Sequence, residues 1–137
     1  MKKRAGVLII NPEKDCILLI HRIRNSLEYW VIPGGTVEDG ESFEEAAKRE
    51  IMEELGIKME GFTEFFSFST EDREERYYLT KIMEMKEYTI QGEEKERSGK
   101  DNQYLVKWVN LNQLSNIDLK PLIIKNEIIL SKARGII

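Results

Sequence analysis

Both ends of one helix are marked between Gly35 and Ile57, and that helix carries more carboxylate than its own cations can neutralise. Ser42 followed three residues later by Glu45 reads as a capping box, and Gly56 stands where a left-handed terminator belongs. Between them Phe43, Ala46, Ala47, Ile51 and Leu55 recur at helical spacing, which predicts an amphipathic helix with that stripe buried. The window Glu38 to Glu54 holds eight acidic residues and two basic ones, Lys48 and Arg49. It is therefore more negative than the whole chain, whose net charge is −4 over 137 residues. An acidic spot on a nearly neutral body points to a cation, and gives no footprint for a nucleic-acid duplex.

Glu50, Glu53 and Glu54 stand at i, i+3 and i+4, so their side chains converge on one face, read as the exposed one. Like charges at those spacings destabilise a helix by roughly 0.2–0.5 kcal/mol per pair. Glu53 and Glu54 also occupy the last turn, where the helix dipole disfavours an anion by roughly 0.3–1 kcal/mol each. A run of glutamates is ordinarily a solvated face. A divalent ion would reverse the sign of all these terms, and an all-oxygen donor set favours Mg²⁺ or Mn²⁺ over zinc. Cys16 is the lone cysteine, which excludes an intrachain disulfide and a thiolate-rich metal site, and fits a reducing cytoplasm. The apolar run Ala5 to Ile10 is broken by Asn11-Pro12, too short for a membrane span.

The remaining pattern is of strands and one more helix. Arg4 to Ile10 and Cys16 to Ile23 read as an antiparallel pair, and Tyr29 to Ile32 as a short strand halted by Pro33-Gly34-Gly35. Phe62 to Ser69 and Arg76 to Met85 alternate as strands around an exposed turn at Glu71 to Glu74. Tyr104 to Val109 is a further strand, and Leu119 to Ala133, with Pro121 near its first turn, a second helix. No repeat or linker divides the chain, so a single domain over residues 1–137 is expected: an α/β fold with a mixed sheet between helical layers.

Written as a pattern, the segment is G-x5-E-x7-R-E-[aliphatic]-x-E-E-x-G-[aliphatic], filled by Gly35, Glu41, Arg49, Glu50, Ile51, Glu53, Glu54, Gly56 and Ile57. It resembles the signature of the Nudix hydrolases, of the MutT-like type, at all nine defined positions. Trp30 to Gly35 before it, Glu38-Asp39-Gly40-Glu41 within it and Trp108-Val109-Asn110-Leu111 with Leu114 after it agree with that family. The resemblance implies an α/β/α sandwich that hydrolyses a pyrophosphate linkage in nucleoside diphosphates joined to a further moiety X. It implies that Glu50, Glu53 and Glu54 hold the divalent ion, joined by the Gly34 main-chain carbonyl. Arg49 would orient the carboxylates, pairing with Glu41, while Gly35 and Gly56 shape the loop and the helix end. The general base is expected at Glu53 or Glu50. Some family members take the base from a later loop; here that region, Gly92 to Arg97 followed by Asp101, reads as a solvated hairpin.

Arg22 and Arg24 are weak candidates for substrate phosphate, with a solvated role equally open. His21, the one histidine, reads as structural. Tyr29, Trp30, Phe65, Tyr77 and Tyr78 could stack a nucleobase, although aromatics in strands belong more often to a core. No phosphate-loop motif or nucleophile elbow is present, and no subclass marker for NADH, coenzyme A or ADP-ribose. The expectation is a small, cytoplasmic pyrophosphohydrolase using Mg²⁺ or Mn²⁺ on a small-molecule nucleotide. Nucleoside triphosphates, oxidised ones included, come first; nucleotide sugars, ADP-ribose and dinucleoside polyphosphates follow. A non-catalytic nucleotide-binding module and an acidic interaction helix are the rivals, and oligomeric state is open.

Overall fold

The computed structural model describes residues 1–137. Strands β1 (Lys2–Asn11) and β2 (Cys16–Arg24) form the predicted antiparallel pair, but they touch only where Ile9 to Asn11 face Cys16 to Leu18. Beyond that short ladder the sheet forks. β1 continues between β4 (Gly34–Thr36), antiparallel, and β6 (Arg73–Lys81), parallel. β2 continues between β3 (Leu27–Val31) and β7 (Asn102–Asn110), both antiparallel. β5 (Thr63–Ser69) edges the first half on β6, and β8 (Leu119–Lys120) edges the second on β3.

Helices cover both faces, which is why β1 and β2 are apolar in unbroken runs instead of alternating. Helix α1 (Phe43–Leu55) packs Ala46, Ala47, Ile51 and Leu55 against Ala5, Val7, Ile9 and Leu18. On the other side α3 (Leu122–Ala133) sets Ile124 and Ile128 against Leu8, Ile10, Ile17 and Leu19. The result is the expected α/β/α sandwich around a mixed sheet.

Helix α1 has the predicted ends. Ser42 Oγ accepts from the Glu45 amide at 3.1 Å, and Glu45 Oε1 accepts from the Ser42 amide at 3.0 Å. Gly56 is left-handed, with φ of 68°, and its N–H reaches the Met52 carbonyl. Three expectations need correction. Strand β6 begins at Arg73 and ends at Lys81, because its parallel register with Lys2 to Ile10 sets its length. Helix α3 starts at Leu122: Leu119 and Lys120 are taken by β3, and Pro121, with no N–H to donate, sits at the helix N-cap. Glu93–Arg97 is a one-turn helix, α2, and not the hairpin expected there. The 3₁₀ turn Leu111–Asn116 buries Leu111 and Leu114 next to α3.

Candidate active site

The acidic residues of α1 do not all lie on its exposed face. Glu54 is 2 % exposed, as buried as the apolar stripe, and the Glu50 side chain is 13 % exposed. Both fall within that stripe, since 43, 46, 47, 50, 51, 54 and 55 are one continuous helical face. The face meets β4, where the two glycines make room. A Cβ on Gly35 would lie 2.5 Å from both carboxylate oxygens of Glu50. One on Gly34 would run into the Ala5 carbonyl and stand 2.7 Å from the Gly6 Cα. Glycine at 34 thus serves the approach of β4 to β1, and glycine at 35 serves Glu50. Glu54 Oε1 accepts a hydrogen bond from the Gly34 amide at 3.3 Å, so it is the Gly34 N–H, where a carbonyl ligand was expected, that touches a carboxylate.

Glu53 lies at the rim of this face, with its side chain 55 % exposed. Arg49 gathers the rest. Its Nε and Nη2 clamp the two Glu41 oxygens at 2.7 and 3.0 Å, the pairing expected from sequence. Nη1 reaches Glu50 Oε1 at 2.9 Å and Glu53 Oε2 at 3.3 Å, and Nη2 also donates to the Thr36 carbonyl. The fork of the guanidinium suits this multiple role in a way a lysine would not. Arg49 bonding holds the Glu41 carboxyl below its ordinary pKa, helped by the Glu38 amide.

Burial acts the other way on the inner pair. It raises the Glu50 carboxyl, against the pull of Arg49 and with the help of Glu53 and Glu94. It pushes Glu54 up to about 8, with Glu94 and Glu50 adding to the burial and Arg4 opposing it. Glu94 comes from α2 and was set aside in the sequence as part of a solvated run. The segment before it is anchored to α1: the Gln91 amide donates to the Glu54 carbonyl at 2.8 Å, and Gly92 packs on the Glu53 carbonyl. Nothing local distinguishes Glu94 from Glu93 or Glu96; the anchoring of Gln91 and Gly92 on α1 is what brings this segment to the end of that helix.

Glu54 is the observation against which a cation can be tested. It is a carboxylate in the core with one neutral amide for a partner and no ion pair, a costly arrangement unless it is protonated or metal-bound. The nearby donors are carboxylate oxygens, the chemistry of Mg²⁺ or Mn²⁺. With Glu50 and Glu53 leaning on Arg49, no three acidic side chains meet at one point in this arrangement. The donor set fits a hard divalent ion, then, and Arg49 competes with it for two of the carboxylates.

The other residues singled out from sequence are spread more widely. Arg22, half-buried on β2, stacks on Tyr104 and lies near Tyr29, whereas Arg24 is exposed at the strand's end. Tyr77 and Tyr78 are core residues. Trp30 is not free to stack a base on its inner face, because His21 lies parallel to it with ring centres 4.2 Å apart. His21 itself bonds Glu28 at 2.5 Å and Lys107 at 3.3 Å, the structural role expected of it.

A mixed sheet is forked between two helical layers, with a carboxylate helix seated on a Gly-Gly strand. The chain belongs to the Nudix family: the NUDIX domain pattern matches residues 1–129. Over 78 residues it is 35% identical to diphosphoinositol polyphosphate phosphohydrolase 2 of Rattus norvegicus, covering 57% of this chain and 44% of that protein. Over 52 residues it is 50% identical to a putative 8-oxo-dGTP diphosphatase of Bacillus subtilis, covering 38% of this chain and 33% of the relative. The chain thus spans less than half the length of these curated relatives. Its fold matches a MutT structure from work on Aliivibrio salmonicida and Vibrio cholerae, with a TM-score of 0.72 at 24% identity. That match covers 95% of this chain and 98% of the other. No helix is long and apolar enough to cross a membrane.

Proposed function

We propose that this protein hydrolyses a pyrophosphate linkage in a nucleoside diphosphate joined to a group X, with nucleoside triphosphates, oxidised ones included, as first candidates. The observation that carries the reading is the Glu54 carboxylate, buried against the Gly34 amide with no ion-pair partner on the protein, inside a complete family motif. The likeness to a putative 8-oxo-dGTP diphosphatase supports the choice of substrate.

Glu50, Glu53 and Glu54 would hold Mg²⁺ or Mn²⁺, with Gly34 beside them and the charge of Glu94 on α2 acting on Glu50 and Glu54. When bound, the ion offsets charge on the pyrophosphate oxygens and makes water easier to deprotonate. The chain's own residues supply the rest. Arg49 positions Glu50 and Glu53 while its clamp on Glu41 ties the loop before α1 to the helix. The general base is Glu50 or Glu53; Glu50 is the one held against the Gly-Gly strand and Arg49, and Glu53 the one at the exposed rim. Gly35 leaves the space that Glu50 fills, and Gly56 ends the helix so that Glu53 and Glu54 stay in its last turn.

A panel of substrates tests the reading. Purified protein with Mg²⁺ is offered nucleoside triphosphates, 8-oxo-dGTP, ADP-ribose, a nucleotide sugar, a dinucleoside polyphosphate and a diphosphoinositol polyphosphate, beside a Glu53→Gln control. Turnover of one nucleotide class, lost in the control, supports it. Turnover of the inositol compound alone moves the substrate class, and turnover of none removes the hydrolase reading in favour of a binding module.

A further inference from the structure

Strand β7 is a margin of the sheet left open. It pairs with β2 at every position from Asn102 to Asn110 and with no other strand. The other margins are guarded: β8 is two residues long, β4 is three, and β5 is broken by a bulge between Glu64 and Phe66. Short or bulged margins discourage the addition of a strand, and a long regular one invites it.

The direction of the main-chain groups on β7 follows from one end of it. Asn102 and Gly99 exchange two backbone bonds, of 2.9 and 3.2 Å, so the N–H and C=O of Asn102 point away from β2. These directions alternate along an antiparallel strand, and Tyr104, Val106 and Trp108 therefore point theirs the same way. Neither the backbone nor a side chain gives them a partner. The open row is closed at Asn102 by Gly99, ends where the chain turns at Leu111, and is centred on Val106.

The segment 82–92 lies alongside this row without pairing to it. Trp108 Nε1 donates to the Lys86 carbonyl at 2.9 Å, and the rings of Tyr88 and Trp108 are 6.5 Å apart. No backbone bond joins the segment to β7. Between them runs a groove of about 610 Å³, with Tyr88 and Ile90 on one wall and Tyr104, Val106 and Trp108 on the other. A groove with an open strand for a wall is suited to an added strand, which main-chain bonds would hold.

A second copy of this chain meets the requirements of the row. Antiparallel pairing about a twofold axis at Val106 sets Val106 against its twin and Tyr104 against its partner's Trp108. Every outward N–H and C=O from Tyr104 to Trp108 then has an acceptor or a donor, and each aromatic pair adds a cross-strand contact. On the opposite face, exposed Leu105 comes to lie across from its partner's Lys107. Each groove is lined by one carboxylate, Glu87, and one ammonium, Lys107, so two copies meet with their charge balanced.

We propose that β7 is an interface between two copies of this chain, which join their sheets edge to edge, antiparallel, about Val106. The contact is separate from the carboxylate site and does not depend on the reaction.

Sedimentation equilibrium of the full chain, from low to high micromolar concentration, measures the mass. Hydrogen exchange on the same samples, read by nuclear magnetic resonance, follows the amides of Tyr104, Val106 and Trp108. The expected result is a rise to twice the mass of one chain, with protection of the three amides rising in step. Leu105→Lys, which opposes Lys107 at both symmetric positions, should weaken the dimer by about tenfold. Leu105→Glu, which meets the same Lys107 with opposite charge, should associate at least as tightly as wild type. Circular dichroism checks that both variants keep the fold.

A monomer at the highest concentration would overturn the proposal. So would a dimer that leaves the three amides unprotected, or one that the two Leu105 substitutions affect equally, since the contact would then lie elsewhere or in another register. Protection of the three amides in a monomer would also overturn it, because the segment 82–92 would itself be the added strand.

Discussion

Glu50 occupies the space that a side chain on Gly35 would need: a Cβ there would stand 2.5 Å from both of its carboxylate oxygens. The glycine and the glutamate are thus one feature, though fifteen positions apart in the chain. Gly35→Ala is expected to force the carboxylate off its seat while leaving the helix and the core on either side of it intact. The outcome is a fall of about 10²-fold in kcat, the scale of an ångström misplacement, with a thermal midpoint close to wild type. Steady-state kinetics and a melting curve on the same preparation check it.

Stability without metal should fall as pH rises. Glu54 has a folded pKa of about 8 against a reference of 4.5, because burial and the neighbouring acids disfavour its charged form. A group raised in this way contributes its full stability below the unfolded pKa and loses it as pH climbs through the folded one. The slope is at most about 1.4 kcal/mol per pH unit between roughly pH 5 and 8, and Glu50 adds in the same direction. Urea midpoints in EDTA at pH 5.5, 7 and 8.5 should therefore decline in order. Glu54→Gln should flatten the series, and Mg²⁺ should restore most of the loss at high pH.

Arg49→Lys is expected to behave as a severe change. It removes the bidentate clamp on Glu41 and the bonds that order Glu50 and Glu53, while keeping one positive charge. Loss of these charge-assisted hydrogen bonds amounts to about 2 kcal/mol. Denaturant unfolding should show that loss in EDTA, and activity should fall with it at saturating Mg²⁺.

Much of this was open to view in the sequence, and the rest fails for identifiable reasons. The ends of α1 are local chemistry, so Ser42, Glu45 and Gly56 announce them. The burial of Glu50 and Glu54 was also within reach: they fall on the Phe43-Ala46-Ala47-Ile51-Leu55 stripe by spacing alone. Reading charged residues as solvent-facing hid it. The start of α3 was misjudged because Leu119 and Lys120 are claimed by a parallel strand far off in sequence. Glu94 owes its place to the docking of Gln91 and Gly92 on α1, which leaves no local trace.

Glu94→Gln separates charge from shape at the site. Glu94 raises the carboxyl pKa of both Glu50 and Glu54, so its neutralisation should make the metal-free protein more stable at pH 8. If it also faces the ion, Mg²⁺ affinity should fall by about tenfold in the same variant. Melting curves with and without Mg²⁺ read both effects, and opposite signs are the expected outcome.

The most direct test of the metal seat is a Mn²⁺ titration followed by electron paramagnetic resonance, comparing wild type with Glu54→Gln at pH 7.5. The account predicts that wild type removes the free-ion signal and that the variant binds at least about tenfold more weakly with its fold unchanged. Equal affinity in the two proteins, or no binding by wild type, would contradict it.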